Sequence, residues 1–127
     1  MNTDRTALDQ LAEHVIRCAL VVSDSLGVGF LEKLYENALV HELRKAGLSA
    51  AQQADVVVWY DGVAVGQYSA DIIVNDTIVI ELKAVSELND IHRAQCLNYL
   101  RATGLRLCLL MNFAKPRLEI KRIILGY

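Results

Sequence analysis

The chain has 127 residues and a mass of 14.1 kDa, with 54% hydrophobic and 22% charged residues, the size and balance of a single globular domain over 1–127. Its apolar runs stop at four or five residues, such as 19–22 and 107–111, far short of the roughly 20 that span a bilayer, so a membrane span is excluded. A formal net charge of −2 argues against a protein that holds nucleic acid by bulk electrostatics alone.

Charge is unevenly distributed. Residues 1–100 carry 7 basic and 14 acidic side chains, whereas 101–127 carry Arg101, Arg106, Lys115, Arg117, Lys121 and Arg122 against Glu119 alone. This asymmetry fits either an anionic partner at one end of the molecule or an edge strand protected by lysine and arginine. Cys18, Cys96 and Cys108 are odd in number and show no CxxC spacing, so they read as reduced packing residues. The first residues show no basic stretch ahead of an apolar core, and the expected address is cytoplasmic.

In chain order, apolar residues at helical spacing from Leu8 to Val22 predict an amphipathic helix over 6–25. Gly27-Val28-Gly29 interrupts it, and a second helical pattern runs from Phe30 to a stop at Gly47. β-branched and aromatic residues then predict a strand over 56–60 and another over 63–68, joined by Asp61-Gly62, a strong hairpin signal. A third strand over 70–74 turns at Asn75-Asp76-Thr77 into a fourth over 78–83. A helix follows, with Asn89 as N-cap and Gly104 as stop, and then strands over 105–111 and 118–125. The order ααββββαββ implies an α+β mixed sheet with helices packed on it, and the run 107–111 suits a strand buried on both faces.

Three ionisable residues interrupt this apolar pattern. Alternation puts Glu81 and Lys83 on one face of their strand, away from Ile78, Ile80 and Leu82. A three-residue loop at 75–77 sets Val74 against Ile78 and therefore Asp71 against Glu81, with their Cβ atoms about 5 Å apart. Paired carboxylates at that distance repel unless a cation lies between them. Mg²⁺ or Mn²⁺ suits such a site, taking one or two carboxylates and completing its shell with other oxygens, here including the backbone carbonyl of Leu82. Lys83 would then position an attacking water and stabilise charge developing on a phosphodiester. An ion-paired strand face is the plain alternative. On the helices, Glu32 borders the apolar stripe with Tyr35 and Leu39 and can face the sheet. Gln95 and Tyr99 are four apart on one face, with His92 a turn earlier. They suit hydrogen bonding to phosphate or to a catalytic side chain, or else form a surface pair.

Taken together, the segments Gly29-Phe30-Leu31-Glu32-Lys33-Leu34-Tyr35, Tyr68-Ser69-Ala70-Asp71, Val79-Ile80-Glu81-Leu82-Lys83, Gln95-Cys96-Leu97-Asn98-Tyr99 and Asn112 through Arg122 resemble the GxxExxY proteins, a branch of the PD-(D/E)xK nuclease superfamily. The likeness runs from about His14 to Arg122 and departs from the branch at Ser23, Val28 and Ala70. It implies a restriction-endonuclease-like core, with Asp71 and Glu81 as metal-binding acids and Lys83 as the catalytic lysine. Glu32 corresponds to a helical glutamate near the metal, and Gln95 and Tyr99 to a QxxxY pair on the active-site side. The implied activity is Mg²⁺- or Mn²⁺-dependent hydrolysis of DNA. The competing readings are a non-catalytic module that binds nucleic acid or protein and a purely structural partner protein. Edge strands also leave room for a homodimer.

Overall fold

The computed structural model describes residues 3–126; Met1, Asn2 and Tyr127, the ends of the expected domain, lie outside them. The elements are α1 (Thr3–Leu26), α2 (Glu32–Lys45), β1 (Ala50–Tyr60), β2 (Val63–Val74), β3 (Ile78–Lys83), α3 (Asp90–Thr103), β4 (Leu107–Asn112) and β5 (Glu119–Ile124). The expected α+β mixed sheet is present, with one correction to the order ααββββαββ. Segments 63–68 and 70–74 are one strand, so the order is ααβββαββ. Ser69 does not end a strand because β1 starts at Ala50 and pairs across it, Asp55 with Ser69 and Ala54 with Ala70. The Gln-rich stretch 50–55 gives little strand signal of its own and is extended by its partner.

The five strands lie side by side in chain order, antiparallel throughout except for the parallel pair β3–β4, which α3 connects. Helices cover both faces. On one, Leu8, Ala12, Val15, Ala19 and Val22 of α1 and Tyr35, Leu39 and Leu43 of α2 bury against Ile78, Ile80, Leu82, Leu107, Leu109 and Met111. On the other, Cys96 and Leu100 of α3 bury against Val79, Cys108 and Leu110. Every residue of β4 is buried, as a central strand between two helical layers must be. Each fully buried aliphatic side chain contributes about 1.5–3 kcal/mol.

The local signals fall where the chemistry requires. The Asn89 side chain accepts from the backbone N–H groups of Ile91 and His92, and His92 Nδ1 accepts from the Asn89 N–H, closing a reciprocal cap on α3. Asp61 and Gly62, with φ of 53° and 75°, make the hairpin turn of β1 and β2. Val74 pairs with Ile78 across the 75–77 turn, the register expected from sequence.

One distortion shapes everything near it. Positions two apart on a strand share a face, yet Ile72 and Val74 pack under α1 and α2 while Ala70 packs under α3. Opposite this change of face, Gln53 of β1 has φ of 51°, a left-handed conformation unfavourable for a non-glycine residue. The β1–β2 pair therefore rolls over at Gln53 and Asp71. The β2–β3 ladder holds Val74, Ile73 and Ile72 to Ile78, Val79 and Ile80, and the remainder of β1 and β2 leaves the sheet as a two-stranded arm.

Candidate active site

Where the two strands part, side chains replace the ladder. The Asp71 N–H donates to Glu81 Oε1 at 3.1 Å, and the Leu82 N–H donates to Asp71 Oδ2 at 2.9 Å. Each acid thus binds the backbone of the other's strand, which fixes both carboxylates facing one another. Bulges beside reactive centres commonly re-aim a side chain in this way. The Leu82 side chain itself is in the core under α1 and α2, so only its backbone is available to the site.

Asp71, Glu81 and Lys83 line a cleft of about 340 Å³. Glu32 enters it as the first residue of α2, where the helix dipole favours an acid, and the Ala84 backbone just beyond Lys83 draws its carboxyl downward. Gln95 and Tyr99 form the α3 wall together with Asn98, and Tyr68 of the arm closes the side. All six side chains singled out from sequence therefore meet in one cleft. The Tyr99 hydroxyl donates to the Ser69 carbonyl at 3.2 Å, which ties α3 to the arm.

The electrostatics are those of an acid-rich cleft short of positive charge. Burial, then the neighbouring Asp71, pushes Glu81 up to about 8. Burial also raises Asp71, and burial followed by Asp71 raises Glu32. Tyr99 is pushed up to about 12 by burial and then by Glu81 and Asp71, and stays a neutral hydrogen-bond donor. Lys83 draws all three acids downward without overcoming these effects. Among the described residues no ion pair engages Asp71, Glu81 or Lys83.

A divalent cation fits this donor set. Two facing carboxylates and the Leu82 carbonyl are hard oxygen donors, and Glu81, only 4% exposed, makes no ion pair among the described residues. Among the described residues no group of three or more His, Cys, Asp or Glu side chains closes into a cage.

A profile of the PD-(D/E)XK nuclease superfamily matches residues 9–123, which includes the whole cleft. The chain belongs to the PD-(D/E)XK nuclease superfamily. Nucleases of this superfamily typically use divalent metals, in keeping with the donor set. The fold is also similar to that in the crystal structure of SSO0001, with a TM-score of 0.58 and 19% identity over 75% of this chain and 50% of that one. This chain thus spans about half the length of that protein, and the likeness concerns the fold alone. No curated protein matches the sequence.

Several residues that support this cleft have roles that the sequence reading did not assign. Gln53 Nε2 reaches both Asp71 Oδ1, at 3.3 Å, and Glu36 Oε1, at 3.0 Å, so the roll in β1 also braces the acid opposite. Tyr35 is buried, donates to the Gly27 carbonyl at 2.6 Å, accepts from the Phe30 N–H at 3.2 Å and stacks on Phe113 at 4.9 Å. It pins the α1–α2 turn and so aims Glu32. Asn112 is fully buried: its Oδ1 accepts from the Val85 and Ala114 N–H groups, and its Nδ2 donates to the Val85 carbonyl and to Glu119. That clamp holds the backbone immediately after Lys83 and Ala84.

The basic C-terminal residues do not line the cleft, in which Lys83 is the cation. Lys121 and Arg122 are exposed on the edge strand β5, and Arg122 pairs with Asp9 at 3.6 Å. Lys115 and Arg117 stand on the turn after β4, at the cleft end of the sheet, because the Phe113 N–H bonds the Lys83 carbonyl.

Proposed function

We propose that this protein is a single-domain, Mg²⁺- or Mn²⁺-dependent nuclease that hydrolyses phosphodiester bonds in DNA, of the GxxExxY branch. The observation that carries the reading is the reciprocal locking of Asp71 and Glu81 in a cleft that also holds Lys83 and Glu32. Asp71, Glu81 and the Leu82 carbonyl would hold the metal, which when bound supplies charge neutralisation for the phosphate and a more acidic water. Lys83 orients the attacking water and stabilises negative charge on the phosphoryl oxygens. Glu32, set at the start of α2, accepts hydrogen bonds from ordered water, and Gln95 donates to a phosphate oxygen. Free, buried Cys18, Cys96 and Cys108 support a cytoplasmic address, and no described helix is long and apolar enough to cross a membrane. Strands β1 and β5 are edges at which two copies could pair.

Purified protein should cut DNA in Mg²⁺ or Mn²⁺ and not in EDTA. Asp71→Asn, Glu81→Gln and Lys83→Met should each abolish cutting while keeping a cooperative melting transition. Undiminished cleavage by these three variants would overturn the assignment.

A further inference from the structure

Tyr68 is absorbed by neither the core nor the chemistry proposed above, and yet it lines the cleft. It is 57% exposed and meets Tyr99 edge-to-face, with ring centroids 6.0 Å apart and planes at 75°. Tyr99 is held from behind by its bond to Ser69, so Tyr68 presents a ring against a fixed support. An aromatic ring left in water beside charged groups gains free energy when a flat apolar surface covers it.

We infer that Tyr68 is a stacking platform for a nucleobase, and that the ligand is single-stranded nucleic acid whose base lies on this ring while its phosphate lies at Asp71, Glu81 and Lys83. The inference rests on nucleic acid being the ligand of this cleft. Three observations favour a single strand over a duplex. Tyr68 is three residues from Asp71 on one extended strand, about 10 Å away, within reach of the base on a scissile nucleotide or its neighbour. The cleft carries Lys83 and no arginine, too little positive charge to hold a duplex by its phosphates. Base stacking on aromatic side chains binds single strands without requiring such charge, at about 1–3 kcal/mol per base. The bases of a duplex are stacked on each other and cannot cover the ring. The amides of Gln95 and Asn98 on the same wall suit sugar or base edges.

The test is fluorescence anisotropy with labelled 12-nucleotide DNA in Ca²⁺, comparing a single strand, its duplex and a strand with abasic sites throughout. The single strand should bind at least about tenfold more tightly than the duplex. Tyr68→Ala should weaken it about 5- to 150-fold, Tyr68→Phe should leave it unchanged, and the abasic strand should bind wild type and Tyr68→Ala alike. Equal binding of the single strand by wild type and Tyr68→Ala would overturn the inference, as would an equal loss on the abasic strand. Cleavage in Mn²⁺ is scored separately. Stacking without cutting would overturn the nuclease reading and leave this one standing, and cutting indifferent to Tyr68 would do the reverse.

Discussion

Two glutamates, Glu36 and Glu81, are 3% and 4% exposed, and their surroundings treat them in opposite ways. Glu36 is roofed by polar side chains: Lys33 Nζ donates at 2.8 Å, Gln52 Nε2 at 2.6 Å and Gln53 Nε2 at 3.0 Å. Burial pushes its carboxyl up, but these donors outweigh burial and hold it below the usual carboxylate range. Glu81 lies against Asp71, receives one backbone N–H, and is driven up to about 8. A buried acid whose charge is already matched stabilises the fold, whereas one left with an excess of negative neighbours is stabilised by a ligand. The same contrast runs along β3. Ile78, Ile80 and Leu82 serve the core under α1 and α2, and Glu81 and Lys83 serve the cleft.

The sharpest way to break this comparison is to neutralise each glutamate. Glu81→Gln should lower metal-dependent cleavage by at least about a hundredfold without lowering the melting temperature in EDTA. A variant that melts early in EDTA would show Glu81 to be structural. Asn112→Ala should come next, reducing cleavage about 10- to 100-fold as the backbone after Lys83 loosens; unchanged turnover would dismiss the clamp. Glu36→Gln should cost about 1–3 kcal/mol by denaturant titration, because three donors lose their charged acceptor.

The smallest effect separates the two acids by sign. Glu81 has a raised value in the folded state, so its contribution is complete below about 4.5 and is lost as pH rises through about 8. Glu36 has a lowered value, so its contribution is present above the ordinary carboxylate range and is lost as pH falls through its folded value. Melting in EDTA from pH 4 to pH 9 should show Glu81→Gln flattening the alkaline limb and Glu36→Gln the acid limb. Because metal binding requires the ionised acid, the rise in melting temperature given by Mn²⁺ should also grow between pH 6 and pH 8.5.

The acids and lysine of the cleft were legible because they violate a local rule, charged residues where period-two alternation demands burial. The loop length at 75–77 then fixed which acid faced which, and Val74 does pair with Ile78. Helix ends at Asn89 and Gly104 were legible for a similar reason, since caps are local chemistry. The roll at Gln53 was not, because nothing in Gln52-Gln53 announces a positive φ. It arises from two strands that must pack on opposite helical layers within a few residues. Asn112 and Tyr35 act through partners 27 and 8 residues away, and only the assembled sheet shows what they hold. The merged β2 has the same origin, a strand edge supplied by distant residues rather than by its own composition.

The parallel pairing of β3 with β4 sets when this cleft can come into being. Hairpins close from neighbouring residues as soon as they are synthesised, but a parallel strand waits for the crossover helix and for its mate, here reaching Asn112. Until that stretch has left the ribosome, Glu81 and Lys83 sit on an unfinished sheet edge with no buried wall behind them. A chain not yet made as far as Asn112 therefore lacks the wall behind these two side chains, and the proposed chemistry would begin only once β4 has docked.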